Sequence, residues 1–177
     1  MLEKLKILIN NPIYRFLFLS FVYSLIWDIL LYQLLIPVAF EEWVIEQVGA
    51  LSRLILSMAY AGISFSNDNL YIGGILCVHI GIPCNGVETM GIISCIILAF
   101  RAAWFHKLWF ILLNYTVIFL LNAVRVAVLA ALVYERNQSY EINHKYIFNI
   151  VLYGVLLILF ALWSQKISKQ EAKPIKS

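Results

Sequence analysis

The sequence predicts an all-α polytopic membrane bundle: about four spanning helices, one amphipathic helix that is interfacial or partly inserted, and a small β-like hairpin on the outer face. Three observations carry that prediction. First, 63% of the 177 residues are hydrophobic and only 13% are charged, whereas soluble domains run at about 45–50% and about 25%. Second, the apolar residues gather in runs long enough to cross a bilayer, which takes about 20 residues. Third, Lys and Arg cluster at the ends of those runs, the pattern that orients membrane helices. A soluble globule of this size leaves too much area facing water to hide so much apolar surface. Few charges and many aromatics exclude disorder, and three cysteines are too few for a disulfide scaffold. The net charge of +3 sits at helix ends and forms no patch suited to nucleic acid. No repeat or second domain interrupts the chain, so 1–177 reads as one integral membrane domain.

The first spanning segment is 13–36, closed by Pro37 and carrying one acid, Asp28. Lys4, Lys6 and Arg15 around its start resemble a signal peptide's basic region. However, the apolar run exceeds the roughly 7–15 residues of a signal core and has no small-x-small cleavage pattern, so it reads as a retained helix. Over 41–62, Glu41, Glu42, Glu46, Gln47 and Arg53 interrupt apolar residues that recur at helical spacing, including Trp43, Val44, Leu51, Leu54, Ile55 and Met58. This predicts the amphipathic helix; a fifth span there would have to bury Arg53. Asn67-Asp68-Asn69 and Gly73-Gly74 are turn signals between β-prone stretches, which predicts a hairpin or ordered loop over 63–83. The remaining spans are 85–101, 108–134 and 146–163, with 164–177 as a polar tail.

Counting Lys and Arg orients the bundle. With the N-terminus in the cytoplasm, Lys4, Lys6, Arg15, Arg101, Lys107 and the four tail lysines fall inside, while only Arg53, Arg136 and Lys145 fall outside. The expected location is the inner (cytoplasmic) membrane, with both termini cytoplasmic.

That orientation gathers three residues at the outer face. Cys84 lies in Pro83-Cys84-Asn85-Gly86 at a helix mouth, and His144 precedes the last span. Arg125 lies about 18 residues beyond Lys107, roughly 27 Å of helix at 1.5 Å per residue, so it reaches the outer boundary of a core about 30 Å thick. A thiol attacks as its thiolate, which a neighbouring cation stabilises. A guanidinium can also bind the oxyanion of an acyl-transfer intermediate, and an imidazole can move the proton. Asn122 sits one turn before Arg125, and Asn114 further back, as a stripe facing the protein interior. Alternatives remain at this point. Arg125 alone would also serve as a snorkelling anchor, Cys77 and Cys95 read as small hydrophobes, and Asp28 is either functional or a partner for a polar neighbour. No Gly-x-Ser-x-Gly, His-Glu-x-x-His, phosphate loop or Cys-x-x-Cys is present.

At these residues the sequence resembles the exosortase/archaeosortase family of membrane transpeptidases. The family's Cys-small-Gly, Asn-x-x-Arg-hydrophobic and late His motifs correspond to Cys84-Asn85-Gly86, Asn122-Ala123-Val124-Arg125-Val126 and His144. Two positions depart from the family: Asn85, where many members have Ser or Thr, and Glu88, where exosortases proper often have Arg. The resemblance implies Cys84, Arg125 and His144 as catalytic residues, supported by Asn85, Gly86 and Asn122. It also implies membrane-anchored exported proteins with C-terminal sorting signals as substrates, and chemistry that needs no metal or organic cofactor. The competing reading is a non-enzymatic assembly or export factor that keeps the same polar cluster for packing. A transporter is a weaker third class, because no repeat is detectable.

Overall fold

Capping chemistry and apolar periodicity set the helices of the computed structural model, which describes residues 11–32, 38–136 and 146–171. Helix α1, Pro12–Ile26, begins where the Asn11 side chain accepts a hydrogen bond from the Ile13 amide at 3.0 Å. Pro12 fills its first turn, where no amide donor is missed. The helix widens into a π-helical turn over Trp27–Tyr32. Asp28 is exposed in that turn.

Helix α2, Val38–Leu56, is the expected amphipathic helix with shifted ends. Val44, Ile45, Val48, Gly49, Ser52 and Leu56 form its buried face, at the 3–4 residue spacing of one helical stripe. Arg53 points to the exposed side, so seating this helix does not bury a cation.

In place of one hairpin over 63–83, three strands form an antiparallel meander in the order β1-β2-β3: Ile63–Ser66, Asn69–Ile72 and Ile75–His79. Asn67 and Asp68 both hold positive φ between β1 and β2, as do Gly73 and Gly74 between β2 and β3. Those are the two-residue turns whose twist matches flanking strands. Both turns were legible. Strand β1 was not, because Ser64 and Ser66 dilute its hydrophobicity. Leu70 and Ile72 turn inward from β2 and are essentially buried, each contributing about 1.5–3 kcal/mol of burial.

Helix α3, Val87–Ala99, has 13 residues, about 20 Å of rise. It is shorter than the roughly 30 Å hydrocarbon core, although 85–101 was expected to span. Helix α4, Trp104–Tyr134, has 31 residues, about 46 Å. Helix α5, Phe148–Glu171, continues past the expected end at Trp163. The Ser, Gln, Lys and Glu residues there are tolerated in a helix, and the next breaker is Pro174. Among the described residues, three helical stretches are long and apolar enough to cross a membrane: Pro12–Ile29, Trp104–Tyr134 and Phe148–Ile167.

Helix α4 is the spine. Helix α2, helix α3, strands β2 and β3, and helix α5 all pack on it, while α1 packs on α3. Glycines set two of the approaches. A Cβ on Gly49 would strike the Phe65 ring at 2.2 Å, and one on Gly91 would strike the Trp27 ring at 1.8 Å. At one end of the bundle, Phe16, Phe100, Phe110, Phe160 and Trp163 interlock, with Phe110 stacked on Trp163 at a 4.5 Å centroid separation. The sheet covers the other end, where β2 and β3 pack on α4 and Tyr134 reaches Gly73.

Candidate active site

Cys84 closes a 3-10 turn, Ile82–Cys84, which carries the chain from the sheet into α3. Its amide donates to the Gly81 carbonyl at 2.8 Å, and the next amide, Asn85 N, donates to Ile82 at 3.1 Å. The Asn85 side-chain oxygen then accepts from Val87 N at 2.9 Å. That bond satisfies one of the amides a helix leaves unpaired at its first turn. Gly86 is the N-cap, and Asn85 just before it closes a side-chain turn onto the first helical amide.

Gly86 is required twice over. Its φ of +83° lies in the left-handed region, which glycine enters without a steric penalty. A Cβ there would also lie 2.1 Å from Asn122 Nδ2 and 2.9 Å from the Ile118 side chain. Gly86 therefore presses the Cys84-Asn85-Gly86 turn onto α4 at Asn122. Arg125 stands one turn further along the same helix. The thiol and the guanidinium, 41 positions apart in sequence, are brought to one end of the bundle by this contact.

The polar atoms there are mostly donors. Asn85 Nδ2, Asn122 Nδ2 and Arg125 Nε are all buried and make no hydrogen bond. An unsatisfied buried donor costs about 1–3 kcal/mol, and three of them lie in this part of the bundle. Asn122 and Arg125 also line a cavity of about 90 Å³ against the first turns of α5, at Ile147, Phe148, Val151 and Leu152. That space exceeds what a single water requires. Cys84 is half-buried and packs against the core cluster that includes Val87 and Val126.

The other expected residues divide cleanly. His144 lies outside the described residues. Asn114 is fully buried in the interior of the bundle, its amide donating to Phe110 O at 2.7 Å, which agrees with an inward polar stripe. Glu88 is exposed in the first turn of α3, where a negative charge suits the helix N-terminus and solvent screens it from the thiol. Cys77 is buried in β3, and burial pushes its thiol pKa up, so it is a poor nucleophile. Cys95 is buried too, its Sγ donating to Tyr23 O at 3.4 Å across the α1–α3 contact. His79 pairs with Asn69 within the sheet at 3.1 Å. Among the described residues, no group of three or more His, Cys, Asp or Glu could hold a metal.

Two features escaped the sequence. Ser52 Oγ lies 2.7 Å from Val48 O and 3.0 Å from Ala123 O, tying α2 to α4 beside Asn122. Gly49 and Ser52, two small residues on one helix face, were the available signal. Tyr60 donates to Glu135 and packs edge-on against Tyr134. This joins the start of the sheet to the end of α4, and the accepting carboxylate pushes the Tyr60 hydroxyl pKa up.

A family model described as transmembrane exosortase matches residues 10–166. The chain belongs to the transmembrane exosortase family. Cys84, Asn122, Arg125 and His144 all fall within the matched range. No curated protein and no solved structure gives a significant match. Exosortase membership makes this a multi-pass membrane protein and points to a transpeptidase acting on exported proteins that carry sorting signals.

Proposed function

We propose that this exosortase is a cysteine transpeptidase or protease that cleaves C-terminal sorting signals at the outer membrane face through a thioester on Cys84. The observation that carries this reading is the Gly86–Asn122 contact, which sets the Cys84 turn one helical turn from Arg125 and its open cavity. The Cys84 thiolate adds to the scissile carbonyl carbon, and the carbonyl electron pair moves onto oxygen. Arg125 stabilises the thiolate or that oxyanion, as a permanently charged guanidinium can in a desolvated site. The C–N bond then breaks as His144, having taken the thiol proton, delivers it to the leaving amine. Water or an acceptor amine attacks the thioester, releases the sorted protein and restores the thiol.

The end that carries Arg15, Arg101, Lys107 and Lys166 is read as cytoplasmic, which puts Cys84 outside. Four crossings follow if α3 and its flanking turns complete a span. Co-expression with a membrane protein bearing a sorting signal tests the mechanism. Mass spectrometry should find a thioester between Cys84 and the substrate, and Cys84→Ala should abolish both adduct and processing. Processing that survives Cys84→Ala rejects the nucleophile, and full tolerance of Cys84→Ser returns the cluster to a packing role. Labelling of a Cys84-only chain in intact cells by a membrane-impermeant thiol reagent tests the orientation.

A further inference from the structure

We propose that Asn122 is a further catalytic residue: its side-chain amide donates a hydrogen bond to the carbonyl oxygen that turns negative when Cys84 adds to an acyl group, alongside Arg125. The inference rests on Cys84 being the nucleophile, as proposed above.

Three observations assign this role to Asn122. Its side chain is only 3% exposed, yet Nδ2 has no hydrogen-bond partner. A buried amide used as polar glue between helices would be bonded to its neighbour. The side chain also borders both halves of the site at once. Nδ2 lies against Gly86, two residues from the thiol, and the residue lines the same cavity as Arg125. Finally, Arg125 Nε and Asn85 Nδ2 are buried and unpaired donors as well. Idle donors next to the turn that carries the nucleophile suit an oxygen that gains charge during reaction, because donors fixed in advance need no reorganisation when the charge develops. Asn114, two turns away on the same helix, differs in kind: its Nδ2 donates to Phe110 O, and the atom left unpaired there is the acceptor Oδ1.

The test compares two reagents on the full chain in detergent, with Cys77→Ala and Cys95→Ala leaving Cys84 as the only thiol. p-Nitrophenyl acetate acylates a thiol through a tetrahedral oxyanion: the S–C bond forms, the carbonyl pair moves to oxygen, and collapse expels p-nitrophenolate. Iodoacetamide alkylates the same thiol by direct displacement of iodide, with no oxyanion. Asn122→Ser and Asn122→Ala, both neutral, should lower acylation of Cys84 at least tenfold while changing alkylation less than about twofold, since losing one aimed donor typically costs about a hundred- to thousandfold. An unchanged acylation-to-alkylation ratio overturns the role of Asn122, as does an equal fall in both rates, which would mark an effect on the thiol or the fold. If Cys84→Ala still abolishes processing, only the Asn122 assignment is lost. A parent chain whose Cys84 alkylates but does not acylate removes both readings.

Discussion

The two ends of the bundle are built by opposite rules. At the basic end, five aromatic rings interlock, and Lys107 Nζ donates to Leu98 O at 2.8 Å, capping the last turn of α3. Apolar area is buried there and the charge has a partner. At the Cys84 end, a glycine-dependent turn is pressed onto α4, a cavity remains, and three buried donors go without acceptors. One end is optimised for stability. The other keeps three buried donors unpaired, which costs stability.

Mutations should separate the two ends, and the largest effect is expected at the thiol. Cys84→Ala should eliminate processing of a co-expressed substrate while leaving the thermal midpoint in detergent unchanged. A parallel loss of stability would mean that Cys84 belongs to the core and erase the contrast. Arg125→Lys keeps the charge but loses the planar fork of donors, and should cut processing at least tenfold in an immunoblot time course with membrane insertion intact. Near-normal processing would make Arg125 an anchor, like the lysines of the other end. Phe110→Ala is the reciprocal experiment. Removing a ring stacked on Trp163 should cost about 3–5 kcal/mol of stability, read by thermal unfolding, with iodoacetamide reactivity of Cys84 per folded molecule unchanged.

Gly86→Ala should affect both properties, because a side chain at positive φ strains the turn by about 1–3 kcal/mol and collides with Asn122. Reduced stability together with reduced processing is expected; a purely structural loss would detach the turn from the chemistry. The smallest effect is expected for Ser52→Ala. Interhelical hydrogen bonds in membranes average about 0.6 kcal/mol, so a small fall in the unfolding midpoint with normal processing should result.

Much of the site was legible as chemistry but not as geometry. Cys84, Asn122 and Arg125 stand out in an apolar chain because each is costly or reactive there. A shared depth follows from counting residues along α4. The helix α2 was visible in its periodicity but its buried stripe was not: of the apolar residues that predicted it only Val44 is buried, Trp43, Leu54 and Met58 are exposed, and the core face runs through Ile45, Val48, Gly49, Ser52 and Leu56. The turns at Asn67-Asp68 and Gly73-Gly74 were visible in their residue types. The extension of α5 to Glu171 was hidden because polarity was read as an end, although a polar segment without a breaker continues a helix readily. The meander was read as a hairpin because β1 alternates serine with Ile63 and Phe65, a pattern shared with an exposed loop.

By itself the sequence determined the membrane class, the helical content, the basic end and the residue types able to do acyl chemistry, because these depend on local composition and on spacing along the chain. Tertiary structure alone decided which groups meet. Gly86 lies flat on Asn122, Ser52 reaches Ala123 across 71 positions, and Tyr60 reaches Glu135 across 75. In none of these pairs does the sequence name the partner, since each residue meets one that is distant along the chain. Whether a buried amide is satisfied or idle is likewise a property of the packed whole. Asn114 and Asn122 are the same residue type on the same inward stripe, yet in the packed protein Asn114 Nδ2 reaches Phe110 O while Asn122 Nδ2 goes unpaired.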